Sequence, residues 1–90
     1  MNVEHYKTVS EQFNLQYYSC LNSIHGWSKL DVLKTATVSD LRIIESFNHD
    51  WAIVVKNEYR HNVFVFVKIP SRELALEILN FTKQTEILFV

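Results

Sequence analysis

Between Trp51 and Pro70 the chain reads WAIVVKNEYRHNVFVFVKIP, two runs of β-branched and aromatic residues around the polar tripeptide Arg60-His61-Asn62. Branched and aromatic side chains pack well on a pleated surface, and a short polar break between two such runs suits a β-hairpin. With the tripeptide as the loop, Tyr59 pairs with Val63, Asn57 with Val65, Val55 with Val67 and Ile53 with Ile69. One face then carries Trp51, Ile53, Val55, Val63, Val65, Val67 and Ile69, and the other Ala52, Val54, Lys56, Glu58, Phe64, Phe66 and Lys68. A slip of one residue would move Lys56 and Glu58 onto the valine face, so burial selects this register.

The flanks extend the hairpin into a domain. Leu41–Phe47 reads as a strand with Leu41, Ile43 and Phe47 on one side and Arg42, Ile44 and Ser46 on the other. Asn48-His49-Asp50 turns it into Trp51, which makes a three-stranded antiparallel meander. Glu45 is the one charge on the apolar side, as expected at a sheet edge. After Pro70, Ser71 is a good N-cap for a helix to about Lys83. That helix is apolar over most of its circumference (Leu74, Ala75, Leu76, Ile78, Leu79, Phe81), with Glu73, Glu77 and Asn80 as a narrow polar stripe, so it predicts burial on more than one side. Glu86–Val90, EILFV, reads as a fourth strand, parallel to the third after the crossover.

Residues 3–25 carry a helical period: Val3, Tyr6, Val9, Phe13, Tyr17, Cys20, Leu21 and Ile24 form one stripe, and Gly26 follows where a left-handed cap would end it. Such a helix would be about 34 Å long. That exceeds a small sheet, so it either breaks near Asn14 or projects toward a partner. Leu15 and Tyr18 lie opposite the stripe, placed to touch the following segment or a partner. Ser28-Lys29-Leu30-Asp31 resembles a helix start, giving a turn or two to about Lys34, and Thr35–Asp40 is a connector. The order is α(α)βββαβ, a single α+β domain over residues 1–90.

Composition narrows the function. Ninety residues, 48% hydrophobic and 21% charged, describe one soluble globular domain with a modest core. A net charge of -1 lacks the electrostatic footprint of a general nucleic-acid or membrane-surface binder. The single cysteine, Cys20, rules out an internal disulfide framework and suits a reducing compartment; it sits in the apolar stripe and reads as packed core. No stretch approaches the roughly 18 apolar residues of a membrane span, and Met-Asn-Val-Glu-His does not resemble a signal peptide, so the expected location is cytoplasmic.

Little in the chain points to catalysis. His5, His25, His49 and His61 form no metal-ligand spacing, and one glycine cannot build a phosphate cradle, so no metal or cofactor is expected. His49 and His61 fall in turns at opposite ends of the middle strand, too far apart for one dyad. Glu58, Tyr59, Arg60 and His61 are the best cluster for general acid–base chemistry. A helix followed by antiparallel strands loosely resembles the compact ribonucleases of toxin–antitoxin pairs, which would imply RNA cleavage. The basic character of that group is absent here.

The remaining signal is the second sheet face, where Phe64 and Phe66 lie amid Lys56, Lys68 and Arg42. Aromatics among cations on an open sheet can stack bases and hold phosphates. The spacing of the pair resembles that of RNA-recognition-motif domains, which would imply single-stranded nucleic acid as the partner. The glycines of that motif are missing, and its βαββαβ order is not the one read here. The alternative is that a helix or second subunit covers both phenylalanines while the lysines reach the rim. A long helix, an apolar C-terminal helix and a half-apolar sheet face together expose more apolar surface than the chain can cover. The expectation is therefore a non-catalytic protein-interaction or regulatory module, homodimeric or bound to another protein. Its contact residues would be Phe64, Phe66, Lys56, Lys68, Arg42, Leu15 and Tyr18. Size and composition match those of accessory proteins of mobile elements.

Overall fold

The computed structural model describes residues 3–17, 38–46, 48–56 and 62–89. In chain order these form helix α1 (Val3–Gln12), strand β1 (Gln16–Tyr17), a 3-10 turn (Val38–Asp40), and strands β2 (Arg42–Glu45), β3 (Trp51–Lys56) and β4 (Asn62–Ile69). Helix α2 (Arg72–Thr85) follows and runs into a second 3-10 turn (Glu86–Phe89). The fold is α+β. The strands form one antiparallel sheet in the order β1-β4-β3-β2.

The β2–β3–β4 meander is present, and β2 pairs with β3 so that Arg42 faces Val54 and Ile44 faces Ala52, on the faces the alternation predicts. Between them Ser46 N–H donates to the Asp50 carbonyl and His49 N–H to the Ser46 carbonyl, with His49 at φ 63. Leu41 is buried and Ile43 packs on the core. Glu45, at the end of the edge strand, is exposed.

The β3–β4 register differs from the expected one. Val55 pairs with Val63, Val54 with Phe64 and Lys56 with Asn62, so the partner of Val55 lies four residues before the expected Val67. Asn62 is a strand residue and residues 57–61 separate the strands. A slide by an even number keeps every side chain on its face, so burial fixes only parity and cannot choose among such registers.

Two irregularities then break the alternation. The pairs Val54↔Phe64 and Ile53↔Phe66 leave Val65 as an extra residue, and Ile53↔Phe66 followed by Trp51↔Ile69 accommodates a second, Lys68, at φ 59. An extra residue turns neighbouring side chains to one side. Val65 and Phe66 are accordingly both buried in the same cluster.

That cluster joins the sheet to both helices: Tyr6 and Val9 of α1, Ala75 and Ile78 of α2, and Leu41, Ile53, Val55, Val65, Phe66 and Ile69 from the sheet side. Tyr6 meets Phe66 edge-on at 5.9 Å, and Phe13 meets Phe81 edge-on at 5.3 Å. Burying one such ring contributes roughly 1.5–3 kcal/mol.

The expected long helix stops after ten residues, at Gln12. Asn14 adopts φ 52, Leu15 N–H donates to the Ser10 carbonyl and Asn14 N–H to that of Glu11. This is a Schellman cap with Asn in the left-handed position, where Asn is the usual substitute for Gly, and Leu15 folds back on the core as the apolar residue that closes it. The chain thus breaks near Asn14 and enters β1, which takes the fourth place in the sheet beside β4. The readings of Tyr18, Cys20, Gly26, His25, the 28–34 helix, Phe47 and the Glu58–His61 cluster lie outside the described residues.

Helix α2 begins as its cap predicts, with Ser71 Oγ accepting from Leu74 N–H at 3.1 Å. Glu73, Glu77 and Asn80 are exposed, while Leu74, Leu79 and Phe81 pack against the core. The strand expected from Glu86 onward does not form over Glu86–Phe89, which is a 3-10 turn. Glu86 keeps helical angles (φ -53, ψ -41), so the chain winds on from α2 with no reversal that could return it to the sheet.

Candidate interaction surface

The second sheet face brings together only part of the expected contact set. Arg42, Val54 and Phe64 lie side by side in one row across β2, β3 and β4, with Lys56 and Asn62 forming the next row toward the hairpin end. Phe64 is 36% exposed, and Arg42 and Lys56 are exposed. The Arg42 guanidinium donates to the carbonyls of Ser39 (2.8 Å) and Leu41 (3.0 Å), which holds it along its own strand end. Between these residues Ala52 and Val54 are buried, so this face is not an open platform across β3.

Phe66 is a correction. It is 0% exposed and belongs to the core, because the extra residue at Val65 turns it inward to Tyr6. Phe64 and Phe66 therefore do not stand as a pair on the second face. Lys68 is exposed but sits in the left-handed bulge, outside the regular alternation that grouped it with Phe64. Leu15 is half-buried as part of the α1 cap and packs against the core.

A second cluster lies where the first helix meets the end of the last. His5, 1% exposed, places Nε2 2.8 Å from Thr85 Oγ1. Its ring lies parallel to Phe89 at 4.7 Å between centroids. The Thr85 hydroxyl has one proton and donates it to the Phe81 carbonyl at 2.8 Å, as Ser and Thr in helices commonly do. Thr85 Oγ1 is then the acceptor and His5 Nε2 the donor, which leaves Nδ1 as the bare nitrogen. Nδ1 is buried and has no partner among the described residues. Burial pushes the His5 imidazole below its ordinary value, against the weaker pull of the Glu86 carboxylate in the other direction.

Immediately beyond this junction the 3-10 turn holds Ile87 and Leu88 out to solvent, 77% and 75% exposed. They are adjacent, unlike Leu76, which is exposed singly on α2. Together they make this turn an exposed apolar ledge, with the two side chains pointing about 120° apart around its axis.

Sequence reasoning missed this junction for a definite reason. The strand composition of EILFV hides the ledge, and Thr85, the hydrogen-bond partner of His5, lies eighty residues away. The one available signal was that His5 stands four residues before Val9, on the margin of the buried stripe.

Among the described residues no group of three or more His, Cys, Asp or Glu could hold a metal ion, and no helix is long and apolar enough to cross a membrane. His49 is exposed in its turn, 3.9 Å from Glu45, a surface pair worth little. No protein-family model matches the chain, and neither a curated protein nor a solved structure matches it.

Proposed function

We propose that this protein is a small non-catalytic interaction module that pairs with a second copy of itself through the ledge formed by Ile87 and Leu88. The observation that carries the proposal is the exposure of two adjacent large aliphatic side chains on a turn anchored from behind by Phe89 on His5. Burying an aliphatic side chain of this size is worth roughly 1.5–3 kcal/mol, so self-association gives the ledge a driving force that an isolated chain lacks. The contact is small beside the roughly 800 Å² per partner of a standard interface. The dimer is therefore weak and concentration-dependent, suited to regulated assembly, and a cytoplasmic setting agrees with the lone cysteine.

The test is sedimentation velocity over a range of protein concentrations, comparing the native chain with Ile87→Ser/Leu88→Ser. The native chain shifts toward dimer as concentration rises, and the double variant stays monomeric with unchanged circular dichroism. A native chain that remains monomeric throughout, or a variant that dimerises equally well, overturns the proposal. A salt-sensitive affinity for single-stranded RNA or DNA, lost in Phe64→Ser, would instead support nucleic-acid binding on the Arg42–Phe64 row.

A further inference from the structure

We infer that His5 is a proton-sensitive latch: neutral, it ties α1 to the end of α2 and holds the turn that presents Ile87 and Leu88; protonated, it loosens that turn. The inference rests on the ledge being the contact surface, and it assigns that surface a regulator. Three observations meet at one ring. With the Thr85 hydroxyl donating to the Phe81 carbonyl, the neutral imidazole carries its proton on Nε2. Nδ1, the only place a second proton can go, is buried with no acceptor among the described residues. Phe89, the last described residue of the turn, lies against the same ring.

Protonation breaks no existing bond, because Nε2–H still donates to Thr85. What it adds is a positive charge and an unsatisfied N–H in a closed space, which is costly. The groups around the ring divide. From the C-terminal turn the Glu86 carboxylate favours the proton, and the parallel Phe89 ring acts in the same direction. From α2 the nearest group is the uncharged Thr85 hydroxyl. On α1 the sequence neighbours are Glu4 and the phenol of Tyr6. Burial outweighs the Glu86 attraction, so the folded state binds the proton more weakly than the unfolded chain.

The sign of the pH effect follows. The stabilisation is complete above the unfolded value of about 6.5, declines as pH falls below it, and levels off beneath the lower folded value. The proton enters most easily where the turn has come away from the ring, so mild acid shifts the population toward a detached turn.

Nitrogen-resolved NMR of the full chain, dilute enough to be monomeric, tests this, with His5→Gln used to assign the resonance. Near about pH 7.5 the expected tautomer carries its proton on Nε2, and half-protonation falls below about pH 6.5. Amide exchange in Glu86–Phe89, corrected for its intrinsic pH dependence, rises severalfold on going to about pH 5.5 and stays flat in His5→Gln. A proton on Nδ1, half-protonation at or above the ordinary value, or equal acceleration in His5→Gln overturns the latch. Should His5→Gln fail to fold, the tautomer and the midpoint in the native chain still decide. Because these readouts come from the monomer, they are independent of whether sedimentation finds the dimer.

Discussion

The two ends of α2 differ in what fixes them. At the first, Ser71 supplies a local cap from inside its own turn, and Ala75 and Ile78 follow at once into the core. At the last, nothing local stops the helix: it tightens into the 3-10 turn, leans on His5 from the opposite terminus of the domain, and leaves Ile87 and Leu88 in solvent. A helix end closed by its own residues is a structural boundary. An end closed by a remote ring and followed by exposed aliphatics leaves apolar surface uncovered at Ile87 and Leu88.

The contrast can be broken at graded cost. The largest effect belongs to the shared middle. Ile78→Ala should lose about 2–5 kcal/mol in denaturant unfolding, the cost of a cavity beneath the sheet, and a loss under about 1 kcal/mol would show α2 is not seated there. Next comes the remote closure. Thr85→Val keeps the shape but strands the buried His5 Nε2–H, and should cost about 1–3 kcal/mol by the same measurement. A neutral result would mean that the junction is held by stacking on Phe89 alone. Ser71→Ala, at the local end, should cost about 1 kcal/mol, with Ser71→Asp restoring most of it. The smallest effect is at the ledge. Leu88→Ser should change the stability of the dilute chain by no more than about 0.5 kcal/mol, since an exposed side chain loses little. A large loss there would mean that Leu88 is core.

These differences also mark what the sequence could and could not convey. Ser71, the β2–β3 alternation and the inward set Tyr6, Val9, Ile53 and Val55 depend on short-range pattern, and all were legible. At Asn14 the stripe running on to Ile24 leaves two outcomes, a break or a projecting helix, and short-range pattern does not choose between them. The β3–β4 pairing was not legible beyond its parity, because slides of two or four residues leave every face unchanged. Phe66 was misplaced because a bulge is an extra residue, and period-two reasoning has no term for it. The run EILFV has strand composition, but a helix that does not reverse cannot deliver it to the sheet. The His5 junction depends on groups far apart in the chain, and its one local sign is the place of His5 on the margin of the buried stripe.

The account stands on the ledge being where copies of the chain meet, and the most direct measurement follows its methyl groups. Resonances of Ile87 and Leu88, recorded from dilute to concentrated protein, should shift progressively with concentration while the ring signals of Phe64 stay fixed. Concentration-dependent shifts at Phe64 with Ile87 and Leu88 unmoved would place the contact on the sheet and contradict the account.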